Sequence, residues 1–155
     1  MDTFISNSPE ETFGLGRRWA AELRPGWVVG LIGDLGTGKT QLVKGIAAGL
    51  GIAGTVTSPT FALLQEHDDG TLPLAHIDLY RLDSIQGLLD LGLDEYLYGD
   101  GLCVVEWADK ARDLWPEERL DIRMERLDED TRRLTFWSDS ETYVDAVDAV
   151  KSGLS

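Results

Sequence analysis

Apolar residues recur every three or four positions in two segments of the first third of the chain, which is the period of a helix with one buried face. The first segment predicts a helix over residues 9–23, with Ser8 as its N-cap and a proline in its first turn. The second predicts a helix that begins near Lys39 and ends at Gly51, a residue type common at helix C-termini. A weaker pattern predicts a terminal helix over residues 140–150.

Short apolar runs between turn-forming residues predict the strands. Residues 27–32 and 102–105 are apolar almost throughout, which is typical of strands buried on both faces of a parallel sheet. Residues 120–125 instead alternate apolar and polar side chains, so we expect a half-exposed strand. An acidic turn then leads into residues 134–137, which predicts an antiparallel hairpin.

The middle of the chain predicts a second pair of strands. Residues 55–66 are rich in Thr, Val and Phe, residues 72–77 are apolar, and the His-Asp-Asp-Gly between them is typical of a turn. A short helix is expected over residues 84–89, followed by an irregular loop over residues 90–101. Buried strands with an intervening helix, together with hairpins, predict one three-layer α/β domain over residues 1–155 with a mixed, partly parallel sheet.

Composition narrows the classes of function. Of the 155 residues, 43% are hydrophobic and 27% are charged, which is ordinary for one globular domain. No apolar run approaches the roughly 20 residues that span a membrane, and the N-terminus lacks the features of a signal peptide. The single cysteine, Cys103, cannot form an internal disulfide, so we expect a cytoplasmic protein with no membrane association.

The net charge of −14 bears on the choice of partners. A domain that binds nucleic acid by itself needs a basic surface, because an acidic surface repels phosphate. We therefore expect no direct high-affinity binding of nucleic acid. Protein partners, and a small anionic ligand neutralised by a metal ion, fit this charge better.

The candidate chemistry lies between the first buried strand and the second predicted helix. Residues 33–40 read Gly-Asp-Leu-Gly-Thr-Gly-Lys-Thr and fit the P-loop pattern G-x-x-x-x-G-K-S/T. The glycines let the backbone wrap a phosphate chain, and the wrapped N–H groups form an anion nest at the start of a helix. We expect Lys39 to reach the β- and γ-phosphates of a nucleoside triphosphate and the Thr40 hydroxyl to ligate Mg²⁺. The predicted nucleotide-binding residues of this segment are Gly33, Asp34, Leu35, Gly36, Thr37, Gly38, Lys39, Thr40 and Gln41.

Carboxylates at two strand ends are candidates for the metal site of this P-loop. A P-loop needs such a group at the carboxyl end of a neighbouring strand. Asp78 and Glu106 both follow apolar strands, so both are predicted to project toward the phosphates. Which of them ligates the metal directly stays open.

For three further features, an ordinary structural role is an alternative to a functional one. Residues 57–60, Thr-Ser-Pro-Thr, are placed like the loops that sense the γ-phosphate in nucleotide switches, although an ordinary proline bend has the same pattern. His76 lies inside an apolar strand and is expected to be a buried, hydrogen-bonded imidazole rather than a base. Cys103 is expected in the core.

Four motifs in order along the chain resemble one protein family. They are Gly-Asp-Leu-Gly-x-Gly-Lys-Thr at residues 33–40, Ser-Pro-Thr at 58–60, His-x-Asp-Leu-Tyr-Arg at 76–81 and Glu-Trp at 106–107. Together they resemble the TsaE family, formerly YjeE, of bacterial ATPases needed for threonylcarbamoyladenosine formation in tRNA. The resemblance spans about residues 11–133, which is nearly the whole predicted domain.

The resemblance implies a fold, an activity and partners. Members of the family have a P-loop fold with a mixed sheet, bind ATP with Mg²⁺ and hydrolyse it weakly. They associate with TsaB and TsaD, and TsaD transfers threonylcarbamoyl to adenosine 37 of tRNAs that read ANN codons. The family member does not perform the transfer; its ATP binding and hydrolysis support repeated rounds by the complex.

The resemblance also implies roles for individual residues. Lys39 and Thr40 match the Walker A lysine and the Mg²⁺ ligand, and Glu106 matches the metal-site glutamate of a Walker B-like strand. Asp78 and residues 58–60 match switch-like segments, which would help to order the attacking water. Two more positions match family residues near the nucleotide: Thr12 and Arg132.

A small P-loop metabolite kinase is the main alternative. Such an enzyme needs an acceptor site and usually an arginine-bearing lid over the γ-phosphate. No glycine-hinged lid is visible, although four arginines lie in the right half of the chain: Arg112, Arg119, Arg123 and Arg126. A regulatory GTPase is excluded, because its Asn-Lys-x-Asp motif needs an asparagine and Asn7 is the only one. A nucleotide-binding scaffold without hydrolysis stays open.

Overall fold

The computed structural model of the chain describes residues 2–34, 36–53, 64–80, 85–90, 92, 94–97 and 99–153. The strands in these residues are β1 Asp2–Ser6, β2 Val28–Ile32, β3 Leu64–His67, β4 Leu74–Asp78, β5 Leu102–Glu106, β6 Leu120–Arg126 and β7 Arg132–Trp137. The α-helices are α1 Pro9–Trp19, α2 Lys39–Gly49, α3 Ile85–Leu89, α4 Asp94–Leu97 and α5 Glu141–Gly153. Two 3₁₀ segments occur at Ala20–Glu22 and Ala108–Leu114.

The strands form one mixed sheet in the order β1-β7-β6-β2-β5-β4-β3. Its centre, β6-β2-β5-β4, is parallel, while β7, β1 and β3 add antiparallel strands at the two sides. The predicted antiparallel pair β6–β7 is confirmed, and so is β3–β4 from residue 64 onward; residues 55–63 of the strand predicted over 55–66 lie outside the described residues. Parallel pairing brings the carboxyl ends of β2, β4 and β5 to one edge of the sheet, where chemistry is expected in such folds.

Helix α1 begins as its sequence predicts. The Ser8 hydroxyl accepts a hydrogen bond of 3.0 Å from the Glu11 backbone N–H, and Glu11 in turn accepts one of 2.6 Å from the Asn7 N–H. These contacts satisfy backbone groups that the first helical turn leaves without partners. The helix is shorter than predicted, because the chain changes at Ala20–Glu22 to 3₁₀ geometry.

Two cores lie on opposite faces of the sheet, which confirms the three-layer α/β architecture. On one face, α1, α2 and α5 cover a core that includes Trp19, Leu42 and Ile46. On the other face, the smaller core contains Val105 and Trp115 and is covered by α4 and the 3₁₀ segment at Ala108–Leu114. None of the helices in the described ranges has the length and apolar character needed to cross a membrane.

Three sequence expectations need correction. The edge strand β1 was not predicted, because Asp2–Ser6 is too short and too polar to show a periodic pattern. The loop expected over residues 90–101 contains the short helix α4. The alternation predicted for β6 holds except at Asp121, which is buried beside Arg119. The terminal helix is confirmed and extends to Gly153.

Candidate functional site

The P-loop connects the end of β2 to the start of α2, as its motif requires. Gly36 has φ of 78° and Gly38 has φ of 93°, backbone geometry that residues with a side chain rarely adopt. Gly33 lies so close to the Met124 carbonyl at the end of β6 that an added Cβ would collide with it. Glycine is therefore required at these positions to form the loop. Leu35 lies outside the described residues.

The Lys39 side chain folds back over the loop. Its Nζ donates hydrogen bonds of 2.6 Å to the Gly33 carbonyl and 2.8 Å to the Asp34 carbonyl, and it lies 4.2 Å from the centroid of the Trp107 ring. Only 5% of the residue is exposed. Burial lowers the pKa of the ammonium, while the charges of Glu106 and Asp78 oppose that change. The result is a desolvated cation whose carbonyl partners phosphate oxygens can replace.

Thr40 and Glu106 join the first turn of α2 to the end of β5. The Thr40 hydroxyl donates a hydrogen bond of 3.1 Å to Glu106 Oε1. Glu106 is 2% exposed, so its carboxylate is held at the base of the loop rather than in solvent. Thr40 and Glu106 are 66 residues apart in the sequence, and the parallel pairing of β2 with β5 brings them together.

Asp78 lies beside Glu106 at the same edge of the sheet. The two residues are directly opposite each other in the register of β4 and β5. Asp78 Oδ1 accepts a hydrogen bond of 3.0 Å from the Tyr80 N–H. Burial raises the pKa of Asp78, and the neighbouring Glu106 charge raises it further, against the lowering effect of the Tyr80 N–H. Both carboxylates are thus brought to the P-loop.

His76 is buried and hydrogen-bonded, as its position in an apolar strand predicts. The residue is fully inaccessible to solvent, and its Nε2 lies 2.5 Å from Glu106 Oε2. Cys103 is likewise buried, in the smaller core, as expected.

The two residues matched only by the family resemblance contact the loop in different ways. Arg132 on β7 donates a hydrogen bond of 3.1 Å from Nη2 to the Gly36 carbonyl at the tip of the loop. Thr12 on α1 is buried below the loop; its hydroxyl pairs with Ser6 at 2.7 Å, and its methyl group faces Gly38. Gln41 follows in α2 and is half-buried.

An aromatic wall at the site was not predicted. Trp107 and Tyr80 rings lie 5.2 Å apart, and the Lys110 ammonium donates a hydrogen bond of 2.6 Å to the Tyr80 carbonyl. The sequence signals for Trp107 and Tyr80 were their places in the Glu-Trp motif at 106–107 and in the motif at 76–81. No sequence signal singled out Lys110, which reaches the site from the 3₁₀ segment at Ala108–Leu114.

The donor set fits Mg²⁺ that arrives with a nucleotide. Mg²⁺ prefers oxygen ligands and is commonly held by one or two carboxylates together with substrate phosphates and water. Thr40, Glu106 and Asp78 supply such oxygens. Among the residues described, no three His, Cys, Asp or Glu side chains form a group that could hold a metal. The predicted γ-phosphate sensor at residues 57–60 lies outside the described residues.

Comparisons with known proteins agree on one family. The sequence model of "Threonylcarbamoyl adenosine biosynthesis protein TsaE" matches residues 6–134. The Bacillus subtilis (strain 168) protein named tRNA threonylcarbamoyladenosine biosynthesis protein TsaE is 47% identical over 136 residues, covering 88% of this chain and 85% of the relative. The protein of the same name from Streptomyces coelicolor is 42% identical over 147 residues, covering 90% and 98%.

A solved structure agrees with the same assignment. The crystal structure of YdiB from Bacillus subtilis matches with a TM-score of 0.86 and 39% identity, covering 99% of this chain and 96% of that chain. The similarity extends over the whole sheet and the helices that flank it. The P-loop NTPase fold expected from the sequence is therefore confirmed.

Proposed function

This chain belongs to the TsaE family of threonylcarbamoyl adenosine biosynthesis proteins, and from that premise we propose that it is a weak, Mg²⁺-dependent ATPase serving tRNA modification. One observation carries the catalytic part of the proposal. Lys39, the Thr40 hydroxyl and the Glu106 carboxylate meet at the end of a glycine-formed loop. This is the set of groups that binds and neutralises a nucleotide triphosphate tail in P-loop proteins.

The loop binds the phosphate chain of ATP. Backbone N–H groups between Gly33 and Thr40, at the positive end of α2, form the anion site. On binding, Lys39 exchanges the carbonyls of Gly33 and Asp34 for phosphate oxygens and neutralises charge that develops on the γ-phosphoryl group. Its low exposure strengthens this interaction, because less water screens the charge.

Thr40 and Glu106 would hold Mg²⁺, directly or through water. An ion held by these residues would neutralise charge on the β- and γ-phosphates. Asp78 lies directly opposite Glu106 in the register of β4 and β5, so it can accept a hydrogen bond from the attacking water and orient it. The Trp107 ring lies 4.2 Å from Lys39 Nζ, and its apolar face would limit the access of water to the ammonium.

The biological role in the proposal follows from the family. The named relatives are tRNA threonylcarbamoyladenosine biosynthesis proteins. We infer that the chain acts in the cytoplasm with TsaB and TsaD during modification of tRNAs that read ANN codons, and that its ATP cycle supports repeated turnover. The net charge of −14 supports action through protein partners rather than by direct binding of tRNA.

A reconstitution tests the proposal. Formation of threonylcarbamoyladenosine by TsaB and TsaD is followed over many turnovers, with and without this protein and ATP. Release of phosphate is measured in parallel for the wild type, Lys39→Met and Lys44→Met. Lys44 is the matched control, because it lies on the same helix and is exposed.

The wild type and Lys44→Met should hydrolyse ATP and raise the multi-turnover yield. Lys39→Met should lower the rate of ATP hydrolysis by at least about 100-fold, since it removes the main cation at the γ-phosphate. An unchanged yield without this protein would refute the role in tRNA modification. Absence of phosphate release, even with all partners and tRNA present, would instead favour a nucleotide-binding scaffold.

A further inference from the structure

Glu106 is held at both carboxylate oxygens by two different elements. Oε1 accepts from the Thr40 hydroxyl of α2 at 3.1 Å, and Oε2 is paired with His76 Nε2 of β4 at 2.5 Å. A glutamate carboxylate with a hydrogen bond at only one oxygen can still rotate about its Cγ–Cδ bond. Held at both, Glu106 keeps one oxygen directed toward the metal-binding hydroxyl of Thr40.

His76 has no other described use for its polar ring. The residue is completely buried, and Nδ1 has no hydrogen-bond partner among the described residues. Burial of a polar atom without a hydrogen-bond partner is unfavourable. On the same face of the sheet, His76 follows Leu74 on β4 and lies opposite Val104 on β5, so an apolar side chain would suit this position better. Packing alone therefore does not account for a histidine here.

The strand register places His76 two residues before the end of β4, farther from the P-loop edge of the sheet than Glu106. Its partner on β5 is Val104, two residues before Glu106, while Asp78 occupies the position opposite Glu106 itself. His76 thus lies behind the carboxylate, away from the P-loop. Its described side-chain hydrogen bond is to Glu106, so we expect it to act on the site through that carboxylate.

We propose that His76 is a positioning residue for the metal site: its Nε2–H fixes the Glu106 carboxylate in the orientation that binds Mg²⁺ with the nucleotide. This inference rests on the proposed nucleotide-binding function and adds a residue to it. Hydrogen-bond partners of metal-ligating carboxylates set the direction of the ligand, and their loss weakens metal binding by about 10- to 100-fold.

Two substitutions separate a positioning role from a packing role. His76→Gln places an amide nitrogen near the position of the imidazole Nε2, so it can still donate to Glu106. His76→Asn is polar too, but its shorter side chain reaches only the position of Nδ1. The matched control is His67→Asn, because His67 is also buried in a strand and its Nε2 has no described partner, yet it lies on β3, outside the site.

The measurement is the affinity for a fluorescent methylanthraniloyl-ADP, titrated with Mg²⁺ and repeated in EDTA. We expect His76→Asn to raise the Mg²⁺ concentration for half-maximal binding about 10- to 100-fold, with little change in EDTA. His76→Gln and His67→Asn should stay close to the wild type. Thermal unfolding of every variant is recorded alongside, so that a folding defect is recognised.

Two results would refute the positioning role of His76 without affecting the proposed function. One is an unchanged Mg²⁺ requirement in a folded His76→Asn protein. The other is a loss of affinity that is equally large in EDTA, since that would show a general structural role. If the Asn variant fails to fold, a folded His76→Gln with the Mg²⁺ requirement raised about 10- to 100-fold would refute the inference as well. A wild type that binds no nucleotide would overturn the proposed function, and this inference with it.

Discussion

At the scale of single residues, the site concentrates buried charge in an acidic protein. Lys39, Asp78 and Glu106 are each less than a tenth exposed, although burial of charged groups is unfavourable unless they are paired. Trp107 adds backbone strain, because it is the one described residue other than glycine with positive φ, at 61°. That geometry places its ring against Lys39. The residues around the P-loop therefore lower the stability of the fold.

The effect of a buried charge on stability can be tested at Asp78. Asp78→Asn removes the charge and keeps an oxygen to accept from the Tyr80 N–H. Burial raises the pKa of Asp78 above its usual 3.8 in the folded protein. The stability that a raised carboxyl pKa contributes is complete below the unfolded value and is lost as the pH rises through the folded value.

The Asn variant should therefore be more stable than the wild type at pH 7, while its ATP turnover falls. The difference in stability should disappear near about pH 3.5, below the unfolded pKa of the carboxyl. Urea unfolding of both proteins at the two pH values measures it. An equal advantage at both pH values would show that the charge is not the cause.

At the scale of elements, the P-loop helix is positioned by close packing against α1. Three glycines make this contact: Gly16 on α1, with Gly45 and Gly49 on α2. A Cβ added at Gly16 would lie 2.5 Å from the Leu42 carbonyl, and one at Gly45 would collide with the Phe13 carbonyl. The helices therefore approach backbone to backbone. Since α2 carries Lys39 and Thr40 in its first turn, this packing also sets the position of the site.

Two alanine substitutions on α1 test the packing. Gly16→Ala should lower the free energy of unfolding by about 1–3 kcal/mol, because it forces α1 away from α2. Gly14→Ala, two residues earlier on the same helix, has no atom within 4 Å of the new Cβ and should raise stability by about 0.5–1 kcal/mol. Chemical denaturation measures both. Equal effects of the same sign would contradict backbone-to-backbone packing of the two helices.

At the scale of the whole molecule, the parallel centre of the sheet is sealed on both faces. Cys103 lies in this centre, between Val28 on β2 and Ala75 on β4, and it is fully buried. Burial raises the pKa of its thiol to about 12. Since the thiolate is the reactive form, Cys103 is protected twice, by access and by ionisation. Its reactivity therefore reports how often the sheet opens.

Thiol labelling measures that opening. At pH 8 a disulfide reagent should modify Cys103 of the native protein at least about a thousandfold more slowly than in urea-unfolded protein, as expected of a marginally stable domain. Saturating Mg²⁺ and ATP should slow the native reaction further, because a ligand that binds the folded state stabilises it. Rapid labelling of the native protein would contradict the sealed core.

The sequence alone determined those features that act within a few residues. The cap of α1, the positive-φ glycines of the P-loop and the buried strands β2 and β5 all follow from local spacing, and the structure has each where it was predicted. Strand-end placement also identified Asp78 and Glu106 as neighbours of the loop. These features can be predicted from the sequence because turn geometry, helix capping and hydrophobic periodicity depend on residues close together in the chain.

The tertiary structure alone decided which of the distant groups form hydrogen bonds with one another. Strand order, not spacing, joins Thr40 to Glu106 across 66 residues and His76 to Glu106 across 30. It also pairs β1 with β7 at an edge that the sequence did not reveal. These contacts depend on burial of two sheet faces at once, which no local pattern encodes. The P-loop could therefore be predicted from the sequence, whereas the hydrogen bonds that hold the Glu106 carboxylate could not.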